Sequence, residues 1–284
     1  METETLSLMI DQEQSTYRRK DYLNPLDHYR WNGKAKHPII VTPSDRKKLV
    51  DWCFAIVDTC AFRRETVAIA VDLFDRFLSI PSAAAQVALC DRSELQLLAI
   101  ASLYLAIKMN ERVAFHCNFF VAASCGGYTV NDIESTELQI LTGLSWYLHG
   151  PTSLQVAMHI FSLVTFDNIV ANDTIHFLYD QVHYQTEQAV RDYFLSIQRP
   201  STIAVAAIFN AVELLRDDER IKLFTALVPV VFQFSIADAN TISDARDRLL
   251  MVMELATDTH SLRVSTSGNV ESLRGTMSMS SLHN

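Results

Sequence analysis

Apolar residues recur at helical spacing along most of the chain after residue 44, and the alternating pattern of half-buried strands is hard to find. Between Arg63 and Ser79 one apolar stripe is complemented by polar residues, which predicts an amphipathic helix that packs one face inward. The polar complement consists of Arg64, Asp72, Asp75 and Arg76. Residues 94–109 are apolar on every side, so they predict a helix surrounded by other helices.

The second half of the chain repeats the pattern of the first. LAIASLYLAIK at 98–108 aligns with IAVAAIFNAVE at 203–213, and the aromatic helix ends at 74–79 and 191–196 are also alike. This self-similarity predicts two helical bundles on one plan, joined where two helix breakers meet near residue 150. The predicted organisation is an N-terminal flank over 1–44, bundles over 45–149 and 150–256, and a disordered Ser/Thr-rich tail over 257–284; a basic stretch covers 18–48.

Composition narrows the possible chemistry. Only seven glycines occur, with none between Lys34 and Cys125, so glycine-bearing hairpins and phosphate-binding loops are excluded there. No catalytic or metal-ligand spacing is present, and we expect no enzyme activity, metal or cofactor. A net charge of -9 disfavours nucleic acid as a partner. Five cysteines without a CxxC pair indicate a reducing compartment, and no targeting segment or membrane span is predicted.

Two charged residues occupy places where helical geometry expects apolar neighbours. Thr129 and Asp132 predict a capping box that opens a helix running to Leu144, and Glu137 lies on the apolar stripe of that helix. Lys108 ends the all-apolar helix. The two could form a buried pair with each other, and a lysine suits a helix C-terminus; alternatively, both could reach backbone groups of another protein.

These segments together resemble the cyclin family. Residues 46–52 (RKKLVDW) are similar to the opening of the cyclin box, while 71–79 and 95–111 are similar to its second and third helices. Residues 137–152 resemble the fifth helix and its exit, and 194–215 resemble the matching part of a second box. The resemblance covers about residues 45–255. It implies an all-α fold of two tandem five-helix cyclin boxes with a short helical or extended N-terminal flank.

The resemblance also implies a function, that of a regulatory subunit binding and activating a cyclin-dependent serine/threonine kinase in cell-cycle control. In the family, the residues that match Lys108 and Glu137 hydrogen-bond backbone groups beside the regulatory helix of the kinase. Those that match Leu141, Trp146 and Leu148 supply apolar contacts. Location in the nucleus or the cytoplasm follows from the same resemblance. The alternatives are a cyclin-fold interaction module in transcription and a cyclin-like protein that activates no kinase.

Departures from the family pattern concern the surface that docks substrates or inhibitors. Asp45 and Lys48 replace two of its apolar residues, which puts docking of basic-leucine motifs in doubt. Arg46 and Asp75 match a family pair with a structural role, tying two helices together. The positions of the docking surface that do match are Leu49, Trp52, Leu95 and Gln96.

Overall fold

In a computed structural model of the chain, the described residues are 2–24, 39–164, 166, 169–234 and 236–266, with side chains to 255. These residues contain helices and no strand, which confirms the all-α prediction. The chain divides into two compact units. Among the described residues, one unit comprises Arg19–His149, and the other combines residues 2–18 with residues 150–266.

The unit formed by Arg19–His149 is built around one buried helix. Its described helices are α2 (Pro43–Thr59), α3 (Glu65–Leu78), α4 (Ala83–Cys90), α5 (Arg92–Asn110), α6 (Asn118–Ala123) and α7 (Val130–Gly143). Every residue of α5 from Leu95 to Ile107 is buried, and α2, α3, α4 and α7 pack around it. Helix α5, which has no polar face, is therefore surrounded by other helices, as predicted.

The polar side of α3 is buried, as its apolar side is, whereas the amphipathic pattern predicts that only the apolar face packs inward. Asp72, Asp75 and Arg76 all lie below 8% exposure. The segment that follows helix α1 (Glu2–Gln14) covers them, with Arg19 paired to Asp72 and the Tyr22 hydroxyl donating to Asp75 Oδ1 at 2.7 Å. The amphipathic pattern identified the helix correctly but could not show that a distant polar segment would pack on its second face.

The start of α2 is held by internal contacts of Thr42, Asp45 and Arg46. Thr42 caps the helix, and Asp45 completes the capping box by accepting from the Thr42 backbone N–H at 3.0 Å. Arg46 forms a bidentate pair with Asp75 at 2.9 and 2.7 Å, and both side chains are almost fully buried. Burial opposes the charged form, but the Asp75 carboxylate raises the pKa of the Arg46 guanidinium above its ordinary value.

The second unit repeats the central buried helix. Its further helices are α8 (Ser153–Ser162), α9 (Asn172–Arg191), α10 (Tyr193–Ser196), α11 (Pro200–Glu213), α12 (Asp217–Gln233) and α13 (Ala239–Thr266). Pro200 occupies the first turn of α11, as predicted, and α11 is buried against α8, α9, α12 and α13. The longer spacer before α5 in the other unit accommodates α4, whereas only the four-residue helix α10 lies between α9 and α11.

The N-terminal 44 residues, predicted as one flank, divide between the two units. Helix α1 (Glu2–Gln14) packs on α8 and places Leu6, Met9 and Ile10 in the core of the second unit. Its Glu13 carboxylate accepts from the Ser201 backbone N–H at 2.9 Å, at the start of α11. Residues 25–38 lie outside the described residues. So do residues 267–284 of the predicted tail, whereas α13 continues to Thr266.

Candidate functional site: the Lys108–Glu137 surface

Lys108 lies at the C-terminal end of α5, on the surface of the unit. Its ammonium nitrogen is 4.4 Å from the ring centroid of Tyr104, one turn earlier, and it donates to Glu137 Oε1 of α7. Burial raises the pKa of the Tyr104 phenol, and nearby charges including Glu137 raise it further. The aromatic ring thus remains a neutral platform beneath a lysine whose side chain is 37% exposed.

The end of α5 is fixed by a cluster of polar contacts immediately after Lys108. The Asn110 amide donates to Thr66 Oγ1 at 2.8 Å, and Arg63 donates to Asn110 Oδ1 at 2.8 Å. The Thr66 hydroxyl in turn donates to the Glu111 carboxylate. These contacts tie the C-terminus of α5 to the N-terminus of α3, so the position from which Lys108 projects is well defined.

Glu137 is positioned by the start of α7. Thr129 and Asp132 form the predicted capping box, with the Thr129 N–H donating to Asp132 Oδ2 at 2.8 Å, which confirms this helix boundary. Ile133, Thr136 and Ile140 are the buried residues of α7. Glu137 follows Thr136 and lies at the edge of the buried stripe, where its carboxylate reaches Lys108. The pair is therefore partly exposed, not enclosed in the core.

An exposed apolar rim follows Glu137 along the chain. Leu138 is 57% exposed, Trp146 is 64% exposed and Tyr147 is 55% exposed, while Leu141 and Leu148 are half-buried. Leu138 and Tyr147 are not among the contact residues that the family resemblance implies. Exposed aromatic side chains beside a partly desolvated ion pair are typical of protein interfaces.

The turn that carries Trp146 has an unusual backbone. Ser145 and Trp146 have φ values of 51° and 65°, in the left-handed region that bulky residues seldom adopt. The turn is held by hydrogen bonds from the Trp146 N–H to the Leu141 carbonyl at 2.9 Å and from Arg76 Nη2 to the Tyr147 carbonyl at 2.7 Å. The Trp146 side chain projects from this turn into solvent.

The predicted substrate-docking positions lie largely inside the same unit. Leu49, Leu95 and Gln96 are each at most 5% exposed, and the Gln96 amide oxygen accepts from the Tyr128 hydroxyl at 3.2 Å. Trp52 is partly exposed, with its ring 6.2 Å from that of Phe120. Lys48 is exposed, whereas Asp45 is buried in the capping box and its Oδ1 is 3.3 Å from Arg92 Nε. The four matching positions therefore offer little apolar surface.

The described residues contain no cluster of three or more possible metal ligands. All five cysteines are free thiols, and burial raises the pKa of Cys53 to about 12. Among the described helices, none has the length and apolar character that crossing a membrane requires.

Comparison with known proteins identifies the family. The family model for the cyclin N-terminal domain matches residues 4–149, about half of the chain, and the chain belongs to the cyclin family. It is 28% identical over 166 residues to the G2/mitotic-specific cyclin S13-7 of Glycine max and 28% identical over 176 residues to a putative cyclin-A3-1 of Arabidopsis thaliana. It is also 29% identical over 160 residues to the G1/S-specific cyclin-E1 of Gallus gallus.

These matches cover 58%, 62% and 56% of this chain and 59%, 47% and 35% of the three relatives, less than two thirds of each. Among solved structures, a viral cyclin from herpesvirus saimiri matches with a TM-score of 0.52 at 15% identity, covering 74% of this chain and 87% of that one. The CAK complex of Chaetomium thermophilum bound to ATP-γ-S matches with a TM-score of 0.52 at 17% identity, covering 87% of this chain and 74% of that one. At these identities the structural matches establish the cyclin fold alone.

Proposed function

We propose that this chain is a regulatory subunit that binds and activates a cyclin-dependent serine/threonine kinase through the surface around Lys108 and Glu137. The observation that carries the proposal is a partly exposed ion pair, followed along the chain by an exposed apolar rim, in a member of the cyclin family. A role in cell division accords with the names of relatives described as mitotic-specific and G1/S-specific cyclins.

The chemistry of the pair suits recognition of a backbone. An ammonium group carries three donors and a carboxylate accepts at two oxygens, so each partner can bond the other and a second group. Lys108 would donate to a kinase carbonyl, and Glu137 would accept from a kinase N–H. Trp146, Leu141 and Leu148, with the neighbouring Leu138, would pack against the regulatory helix of the kinase.

Activation would then be a shift in population. Binding at this surface stabilises the inward position of the kinase regulatory helix, which completes the lysine–glutamate pair of the kinase and frees its activation loop. The cyclin chain supplies no catalytic group and no cofactor in this scheme. Its contribution is the free energy of the interface, concentrated at the partly desolvated ion pair and the exposed tryptophan.

The surface around Trp52 supports docking of substrates or inhibitors less well. Leu49 and Leu95 are buried, and the exposed Lys48 would repel a basic motif. An unchanged rate of phosphorylation of basic-leucine substrates with Trp52→Ala would show that this surface plays no part.

A charge-swap experiment tests the kinase interface. Lys108→Glu, Glu137→Lys and the double variant are compared with wild type for co-purification with candidate cyclin-dependent kinases and for kinase activity. Each single variant should lose about 1.5–3 kcal/mol, roughly ten- to a hundredfold in affinity. The double variant restores the internal ion pair and should recover stability in urea, but it offers an acceptor where the kinase needs a donor and should not recover binding.

The exposed Lys47–Asp51 pair on α2, 2.6 Å apart, provides the matched control, and swapping its charges should change neither binding nor activity. Recovery of kinase binding in the Lys108/Glu137 double variant would mean that the two residues serve only each other. If wild type binds a kinase without activating it, the cyclin-like alternative holds. If folded wild type binds no kinase, the interaction-module alternative gains support.

A further inference from the structure

The buried polar side of α3 carries a chain of contacts that links the segment after α1 to the turn holding Trp146. Arg19 donates to Asp72 Oδ1 from Nη2 at 2.8 Å and from Nε at 3.1 Å. Arg76 donates from Nη1 to Asp72 Oδ2 at 3.2 Å and from Nη2 to the Tyr147 carbonyl at 2.7 Å. We call Arg19, Asp72 and Arg76 the arginine relay.

Each member of the relay has restricted freedom because it is shielded from water. The side chains of Asp72 and Arg76 are 8% and 4% exposed, and that of Arg19 is 16% exposed. The two carboxylate oxygens of Asp72 are engaged by different arginines, which fixes the plane of the carboxylate. Breaking one contact of a buried charge alters the remaining contacts, because the group left behind cannot turn to solvent.

The guanidinium of Arg76 donates both to Asp72 on α3 and to the Tyr147 carbonyl in the turn, so a change at one of these acceptors affects its contact with the other. Nη1 of Arg76 donates to Asp72 Oδ2, and Nη2 donates to the Tyr147 carbonyl. Without Arg19, the Asp72 carboxylate is free to rotate and to accept from both nitrogens of Arg76, since a bidentate pair is favoured over a single contact. Arg76 would then be drawn away from Tyr147.

The Tyr147 carbonyl follows directly after the strained pair of Ser145 and Trp146. Left-handed backbone at such residues persists only where surrounding contacts over-determine it. The hydrogen bonds from Trp146 to Leu141 and from Tyr147 to Leu144 come from the end of α7 itself. The contact with Arg76 comes instead from α3, and so connects the turn to the rest of the unit.

We propose that Arg19, acting through Asp72 and Arg76, holds the turn over residues 145–147 and so fixes the direction of the Trp146 side chain. Arg19, Asp72 and Arg76 are positioning residues, and Arg19 belongs to a segment distant in sequence from the surface that it controls. The binding consequence rests on the proposed function, in which Trp146 contacts the kinase. The conformational consequence does not depend on a kinase.

Other contacts of the same segment give a matched control. Tyr22 donates its hydroxyl to Asp75, and the Lys20 backbone N–H donates to Ser79 Oγ at 3.2 Å. Tyr22→Phe therefore loosens the segment on α3 while leaving the contacts of Asp72 with Arg19 and Arg76, and that of Arg76 with the Tyr147 carbonyl, in place. A relay predicts that Arg19→Ala affects Trp146 more strongly than Tyr22→Phe does, whereas general loosening predicts similar effects.

The test uses the full chain labelled with 5-fluorotryptophan and observed by 19F NMR. The chain contains three tryptophans, and Trp146→Phe assigns the relevant resonance. Arg76→Ala, Asp72→Asn and Arg19→Ala should each shift or broaden that resonance and leave the Trp52 resonance unchanged. Lys47→Ala, which removes an exposed charge on α2, should leave both unchanged. Urea unfolding establishes that every variant is folded, and Arg19→Lys replaces Arg19→Ala if the latter is not.

The outcomes separate the relay from the kinase interface. A Trp146 resonance that responds to Arg76→Ala but not to Arg19→Ala or Asp72→Asn overturns the relay, as does an equal response to Tyr22→Phe. If the relay holds, kinase affinity should fall about tenfold in Arg76→Ala and roughly three- to tenfold in Arg19→Ala. Resonance shifts in a protein that binds no kinase would support the relay and refute the proposed function instead.

Discussion

The backbone at Trp146 leads to a stability prediction opposite in sign to the usual order of alanine and glycine. With φ at 65°, a side chain at this position costs about 1–2 kcal/mol, which glycine does not incur. The greater freedom of glycine in the unfolded chain offsets about 0.4–1 kcal/mol of that advantage. Trp146→Gly should therefore be more stable than Trp146→Ala by roughly 0.5–1 kcal/mol.

Comparing the two variants with each other is essential, because both lose the contacts of the indole and that loss cancels. Urea unfolding followed by far-UV circular dichroism gives the difference in free energy of unfolding. Tyr147 provides the control, since it is similarly exposed and does not have positive φ; there the alanine variant should be the more stable. A glycine variant at 146 no more stable than its alanine counterpart would refute the left-handed backbone.

Three further predictions concern buried polar groups. Asp75→Ala leaves the buried Arg46 guanidinium without its carboxylate partner. The free energy of unfolding, measured by urea unfolding, should therefore fall by about 3–5 kcal/mol. A loss under about 1 kcal/mol would contradict the burial of the pair. Neither polar atom of the buried Gln185 amide has a hydrogen-bond partner among the described residues. Gln185→Met should therefore raise the free energy of unfolding by about 1–3 kcal/mol, measured by thermal unfolding. A decrease would show that a bound water satisfies the amide. Burial favours the neutral form of Asp45, but its capping hydrogen bonds and Arg92 lower its pKa below 3.8. The ionised carboxylate therefore stabilises the fold above about pH 4, and this stabilisation is lost as the pH falls. Asp45→Asn should lower Tm mainly above that pH, and a difference in Tm independent of pH would contradict this.

The docking surface illustrates how a single substitution can serve the fold and alter a surface at once. Asp45 departs from the apolar residue of the family pattern, and in this chain its carboxylate completes the capping box of α2 and pairs with Arg92. The same change removes an apolar side chain from the outer surface. The sequence could identify the departure, but the structure supplies the local reason for an acid at this position.

Several features were predictable from the sequence because they depend on contacts a few residues apart. The capping box of Thr129 and Asp132 and the start of α11 at Pro200 involve only neighbouring residues. The burial of α5 followed from its lack of any polar face. The places of Lys108 at a helix end and of Glu137 on an apolar stripe allow the two to form a pair, but the exposure of that pair depends on how α5 and α7 pack.

Other features were decided only by tertiary structure, because they depend on which distant segment covers a helix face. Helical periodicity located Asp72, Asp75 and Arg76 on one side of α3, yet a polar stripe looks the same whether it faces water or a segment more than fifty residues away. The left-handed backbone at Ser145 and Trp146 could not be predicted, because neither residue is the glycine that usually marks this conformation. The sequence by itself determined the helices, the repeat and the family resemblance. Long-range packing decided that charged residues of α3 would be buried and connected to the turn that carries Trp146.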